Sequence, residues 1–187
     1  MQQINENLFV IQPGDPIEEQ FSDMIKIYLA GTQDLNTVKI PWQQKFINAL
    51  ARLTTTEPEE GMVDLRNFKI AVINPLSPSN GPMSLQNPEF TQKLQWELQY
   101  LEVSDIIFCN YLRKGKEWTS LAELLMNVKS EKLITRCPLD SEFYSYIKVL
   151  GQTYGFPVIG ETSSSIAVIK SMFESIPKLK DLCENSL

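Results

Sequence analysis

Residues 96–125 read WELQYLEVSDIIFCNYLRKGKEWTSLAELL, and this stretch decides the fold. A helix ends near Val103, and a short run rich in Ile and Phe, Asp105 to Asn110, follows as a buried strand. A loop then carries Tyr111, Arg113, Lys114 and Lys116, and the next helix opens at Thr119 or Ser120 with Glu123 in its first turn. Helix, apolar strand, loop and helix in succession are the parts of an α/β sheet. In such sheets ligands bind beyond the carboxyl ends of the strands. The loop after Asn110 and the head of the following helix would line that crevice.

The flanking sequence repeats the pattern. Ile25 to Ala30 is a first core strand stopped by Gly31, and Pro41-Trp42 opens a helix to about Leu53 with Trp42, Phe46, Ala49, Leu50 and Leu53 on one face. Thr54 to Asn67 is polar and reads as an exposed loop. Lys69 to Ile73 is the second strand, and Asn74 to Pro82, with three prolines and a glycine, is irregular. Asn87 and Pro88 cap and start a helix whose stripe is Phe90, Leu94, Leu98 and Leu101; Trp96, Glu97 and Tyr100 lie off it. After the 105–110 strand come a helix 121–129, a strand 133–137, a helix 142–154, a short strand 157–159 and a helix 163–176. The alternation predicts a flavodoxin-like, doubly wound, five-stranded parallel sheet in a three-layer α/β/α sandwich, of order 2-1-3-4-5. Residues 1–24 read as an N-terminal extension with an edge strand near Leu8 to Ile11, and residues 25–187 as one domain.

Composition narrows the chemistry. The 187 residues carry a net charge of −6, which argues against a nucleic-acid backbone as partner. There is no histidine, so any acid or base is Asp, Glu, Lys, Tyr or Cys. Cys109, Cys137 and Cys183 form no CxxC pair, which points to reduced thiols, no zinc site and a cytoplasmic setting. No apolar run approaches the roughly 20 residues that span a bilayer. No P-loop or GxGxxG motif is present.

The candidate site residues follow from the crevice. Glu123 has two readings: the last residue of a Ser120-Leu121-Ala122-Glu123 capping box, or a catalytic carboxylate. Gly31 and Thr32 end the first strand, Asn74 ends the second, and Asn110, Tyr111 and Arg113 follow the third. Asp105 opens its strand, at the wrong end for the crevice, and fits a role with nearby backbone amides.

The chain resembles the nucleoside 2-deoxyribosyltransferase-like superfamily. The resemblance rests on IYLAG at 27–31, INP at 73–75, WELQYLEVSDIIF at 96–108 and SLAEL at 120–124. It implies cleavage or transfer of an N-glycosidic bond of a nucleoside or nucleotide, with Glu123 as nucleophile and no metal or cofactor. Tyr28, Gly31, Thr32, Asn74, Asn110, Tyr111, Arg113 and Ser120 would contact the substrate, and a homo-oligomer is implied. The family's glycine after Glu-Leu is Leu125 here, and Tyr144 to Lys148 carries no Asn. These departures keep a second reading open, a nucleotide-binding module that kept the fold without the chemistry.

Overall fold

The computed structural model describes residues 1–16, 21–32, 40–58, 63–76, 84, 86–112, 118–160, 164–176 and 179. Five parallel strands form one contiguous run of the sheet, out to its β7 edge: β3 (Ile25–Gly31), β4 (Ile70–Ile73), β5 (Ile106–Asn110), β6 (Leu133–Arg136) and β7 (Val158–Ile159). Their order, β4-β3-β5-β6-β7, is the expected 2-1-3-4-5. Two further strands, β1 (Gln2–Asn5) and β2 (Leu8–Ile11), extend the sheet beyond β4 and make it seven-stranded. β2 pairs with β4 in parallel and β1 folds back on β2 antiparallel. The sheet is therefore mixed: the strand expected near Leu8 to Ile11 is present but lies inside the sheet, because the unforeseen β1 takes the edge.

The helices cover both faces. α1 (Trp42–Leu53) and α5 (Ser165–Ser175) pack with Ile27, Leu29, Val72, Ile106, Phe108 and Ile134 on one side. α2 (Pro88–Val103), α3 (Trp118–Asn127) and α4 (Tyr144–Tyr154) pack on the other with Tyr28, Ala30, Ile73, Ile107 and Leu133. Neighbouring residues of β3 thus enter opposite cores, as the two-residue strand period requires. With both faces covered, β4 and β5 are buried throughout and show no polar alternation.

Local signals set the helix ends. The Asn87 side chain accepts the Glu89 amide with Pro88 at the first helical position, and the Ser164 hydroxyl accepts the Ala167 amide. Gly155 closes α4 in the left-handed region, φ 81°.

Three expectations need correction. The buried face of α2 is Trp96, Tyr100 and Leu101, whereas Leu94 and Leu98 are 39% and 44% exposed. Large aromatic rings outbid the leucines for the interior, because each buries more area and has a polar tip that finds a partner here. The 54–67 segment is not all exposed loop: Leu65–Asn67 forms a 3₁₀ turn that buries Leu65. α3 begins at Trp118, so Ser120 lies inside its first turn and the Ser-x-x-Glu sequence is not a capping box. Among the described residues, no helix is long and apolar enough to cross a membrane.

Candidate active site

The carboxyl ends of β3 and β5 lie side by side, and the helices that follow them, α1 and α3, leave to opposite faces. That is the switch point of a doubly wound sheet. Gly31 pairs with Asn110 in register. A Cβ on Gly31 would lie 2.2 Å from the Asn110 carbonyl oxygen, and φ of Gly31 is 120°. Only glycine allows both the approach and the backbone angle.

Thr32 continues this contact. Its amide donates to the Asn110 carbonyl at 2.9 Å, and its hydroxyl accepts the Leu112 amide at 3.2 Å. Trp42 donates through Nε1 to the Thr32 carbonyl at 2.8 Å and meets the Phe108 ring edge-on, so it is a core residue as its spacing suggested. Asn110 is fully buried: its Oδ1 accepts from Nε of Arg136 at 2.7 Å, and its Nδ2 has no partner. An unpaired buried donor costs about 1–3 kcal/mol, which makes this amide a place where a ligand acceptor would be rewarded. Tyr111 is buried and its phenol donates to the Ser120 carbonyl at 3.0 Å, which ties the strand end to the first turn of α3. Asn74 ends β4 with its Oδ1 accepting the Leu76 amide, the Asn-Pro turn geometry. Arg113, with Lys114, Lys116 and Glu117, lies outside the described residues.

Glu123 is the sixth residue of α3 and half-buried. The Tyr28 hydroxyl donates to its Oε1 at 3.5 Å. Tyr28 is fully buried in the middle of β3, and burial first, then the charge of Glu123, pushes its phenol well above the usual range. The phenol therefore stays protonated and acts as a donor. A second carboxylate acts on it: Glu97 of α2 raises the Tyr28 phenol further, as does the buried Cys109 thiol. Glu97 is itself pushed up, chiefly by burial, against the lowering influence of Lys93, whose Nζ is 3.4 Å away. Carboxyl groups on two separate helices thus act on one phenol, Glu123 through a hydrogen bond and Glu97 through its charge, and burial shifts Glu97 toward its protonated form.

Sequence reading missed Glu97 because it lies off the leucine stripe. The usable signal was the aromatic pair around it, Trp96 and Tyr100, which defines the true buried face. Asp105, by contrast, sits as expected at the far end of β5. Its carboxylate accepts the Lys26 amide at 2.8 Å and lies 3.7 Å from Lys26 Nζ. A concavity of about 310 Å³ beside Asp105, Ser130 and Lys132 also lies at the amino ends of the strands. It is at the opposite edge from Gly31 and Asn110, and Asp105 there is committed to Lys26, so the chemistry is better placed around Tyr28. Among the described residues, no cluster of His, Cys, Asp and Glu could hold a metal ion. Leu125, in the place of the resemblance's glycine, is 39% exposed on the outer side of α3.

The family model described as nucleoside 2-deoxyribosyltransferase like matches residues 24–141, more than half of the chain and all of the elements that bear Tyr28, Glu97, Asn110 and Glu123. A search of the curated proteins found no match.

Proposed function

Because the chain belongs to the nucleoside 2-deoxyribosyltransferase-like family, we propose that it cleaves or transfers the N-glycosidic bond of a nucleoside or nucleotide, with Glu123 as nucleophile. The observation that carries this reading is the Tyr28 phenol donating to Glu123, in a buried setting whose charge Glu97 also influences. Burial shifts Glu97 toward its protonated form, which suits it to the role of acid beside a nucleophilic Glu123.

In the first step a Glu123 carboxylate oxygen bonds to the anomeric carbon of the sugar. The glycosidic electron pair leaves with the base, and Glu97 delivers its proton to the departing base. The Tyr28 donor fixes the attacking carboxylate and spreads its charge. In the second step an acceptor base or water attacks the anomeric carbon, Glu97 takes the proton, and the Glu123 ester bond breaks to restore the carboxylate. The site thus returns to its starting state without a cofactor. Gly31, Thr32, Asn74, Asn110, Tyr111, Arg113 and Ser120 are proposed as substrate contacts, with the unpaired Nδ2 of Asn110 as the donor best supported.

We also propose a homo-oligomer and a reducing, cytoplasmic setting. The former accounts for apolar side chains on outer helix faces, Leu94 and Leu98 on α2 and Met126 on α3. The latter accords with free, buried Cys109 and Cys137.

The test is base release or exchange from ribo- and deoxyribonucleosides and their monophosphates, with and without an acceptor base, followed by chromatography. Turnover that Glu123→Ala lowers by about 10³-fold or more supports the reading. Tight binding of one nucleotide with no turnover of any donor would establish the binding module instead.

A further inference from the structure

The segment before β3 lies almost wholly outside the matched residues, yet it holds the helix that carries Glu97. β2 runs parallel to β4, so the chain after Ile11 leaves at the crevice edge of the sheet, where the Asn74 amide donates to the Ile11 carbonyl. Residues 12–15 then form a tight turn. The Asp15 amide donates to the Gln12 carbonyl at 3.0 Å, Asp15 Oδ2 accepts the Gln12 amide at 2.8 Å, and Gly14 takes φ 94°. The next two carbonyls meet α2. Nε1 of Trp96 donates to the Asp15 carbonyl and the Tyr100 hydroxyl donates to the Pro16 carbonyl, each at 2.8 Å.

Trp96 and Tyr100 are one helical turn apart, so they share a face, and their ring centroids are 4.6 Å apart. Both are buried, and Ile11 and Phe21 from the same N-terminal segment join them and Tyr28 in one apolar cluster. Two aromatic donors one turn apart, on carbonyls of a closed turn, fix both the rotation and the axial position of a helix. Glu97 is the residue directly after the first anchor.

We propose that residues 12–16 are a strap that positions Glu97, with Trp96 and Tyr100 as the positioning residues that hold α2 at the rotation where this carboxyl group is largely buried and paired with Lys93. The proposal rests on the reading of Glu97 as the proton donor. Lys93 of its own helix faces Glu97 at 3.4 Å; Glu97, Glu123 of α3 and Cys109 of β5 all act electrostatically on the Tyr28 phenol of β3. The strap's own carboxylate, Asp15, is turned to the Gln12 amide.

The experiment uses the full chain with Tyr100→Phe, Trp96→Phe and both together. Tyr100→Phe removes one hydroxyl and almost no volume, so it serves even if Trp96→Phe folds poorly. The Glu97 carboxyl is followed by ¹³C NMR titration, its signal assigned by loss in Glu97→Gln, and kcat and KM for base release are measured across pH. Release of α2 admits water, so the Glu97 titration midpoint falls by about half a pH unit or more. The alkaline limb of kcat moves down with it, and kcat drops about tenfold while KM stays within about twofold. An unchanged Glu97 midpoint in Tyr100→Phe and in the double variant overturns the strap. If the wild-type chain releases no base from any donor, the glycosidic reading fails, and the titration alone still decides whether the strap positions Glu97.

Discussion

The Tyr28 hydroxyl and the Glu123 carboxylate meet across 3.5 Å, from the centre of a buried strand to the second turn of a helix on one face of the sheet. The helix dipole fades beyond the first turn, so it has little hold on a carboxylate at the sixth position. The phenol takes over that role. Tyr28→Phe keeps the ring and removes the donor. It should lower kcat for base release by about 10- to 100-fold and stability by up to about 1.5–3 kcal/mol, the contribution of a hydrogen bond to a charged group. The acid limb of the pH–rate profile should move to higher pH, since a carboxylate without its donor binds a proton more readily. Stopped-time assays from pH 4 to 9 on both proteins check it; an unmoved acid limb would show that the phenol does not serve Glu123.

Glu97 gives the fold a pH dependence of its own. Burial raises its folded-state pKa above the unfolded value, so the native state binds the extra proton. Its contribution is most favourable below the ordinary glutamate range and declines as pH rises through the window up to the raised value. Glu97→Gln stays neutral throughout. The difference in urea midpoint between wild type and Glu97→Gln should therefore shift in favour of the variant as pH rises across that window, while base release falls by about 10²-fold or more. A constant difference would mean that Lys93 offsets the burial of Glu97 in full.

The parallel core of the fold was readable because alternation of fully apolar runs with helical stripes has few other solutions. IAVI at 70–73 and IIFCN at 106–110 cannot face water on either side. The apolar run Leu8 to Ile11 also showed as a strand, but the one before it did not. Gln2–Asn5 has no apolar pattern and exists because β2 offers it an edge. Gly31 and Asn110 stand at the carboxyl ends of β3 and β5, as the strand pattern placed them, whereas Glu123 lies a turn deeper in α3 than its first-turn reading. Glu97 was not legible, because choosing the face of α2 needed to know that Asp15 and Pro16 present carbonyls to Trp96 and Tyr100, a contact across more than 80 residues.

The leucines left outside by that choice bear on assembly. Leu94 and Leu98 are one turn apart on the outer face of α2, and both are partly exposed. If copies associate there, Leu94→Lys with Leu98→Lys should bring the species seen by sedimentation down to the 21.4 kDa single chain, with the helix content unchanged. A wild-type chain that already sediments at this mass would remove the oligomer from the proposal.

Gly31 is where fold and site depend on the same atom. Its φ of 120° is costly for any residue with a Cβ, and that Cβ would sit 2.2 Å from the Asn110 oxygen and 2.6 Å from its nitrogen. Both neighbours are backbone in the sheet, so neither can swing aside. Gly31→Ala must push β3 away from β5 at the carboxyl edge, which also disturbs the Thr32 amide's bond to the Asn110 carbonyl. The expected loss is about 2–4 kcal/mol of stability from strain and overpacking. Activity should fall further than the unfolded fraction explains, because Asn110 is displaced with the strand. Urea unfolding and base release on the same preparation separate the two effects. A variant that keeps wild-type stability would show that the edge between β3 and β5 can open, and the rigid switch point argued for the site would have to be abandoned.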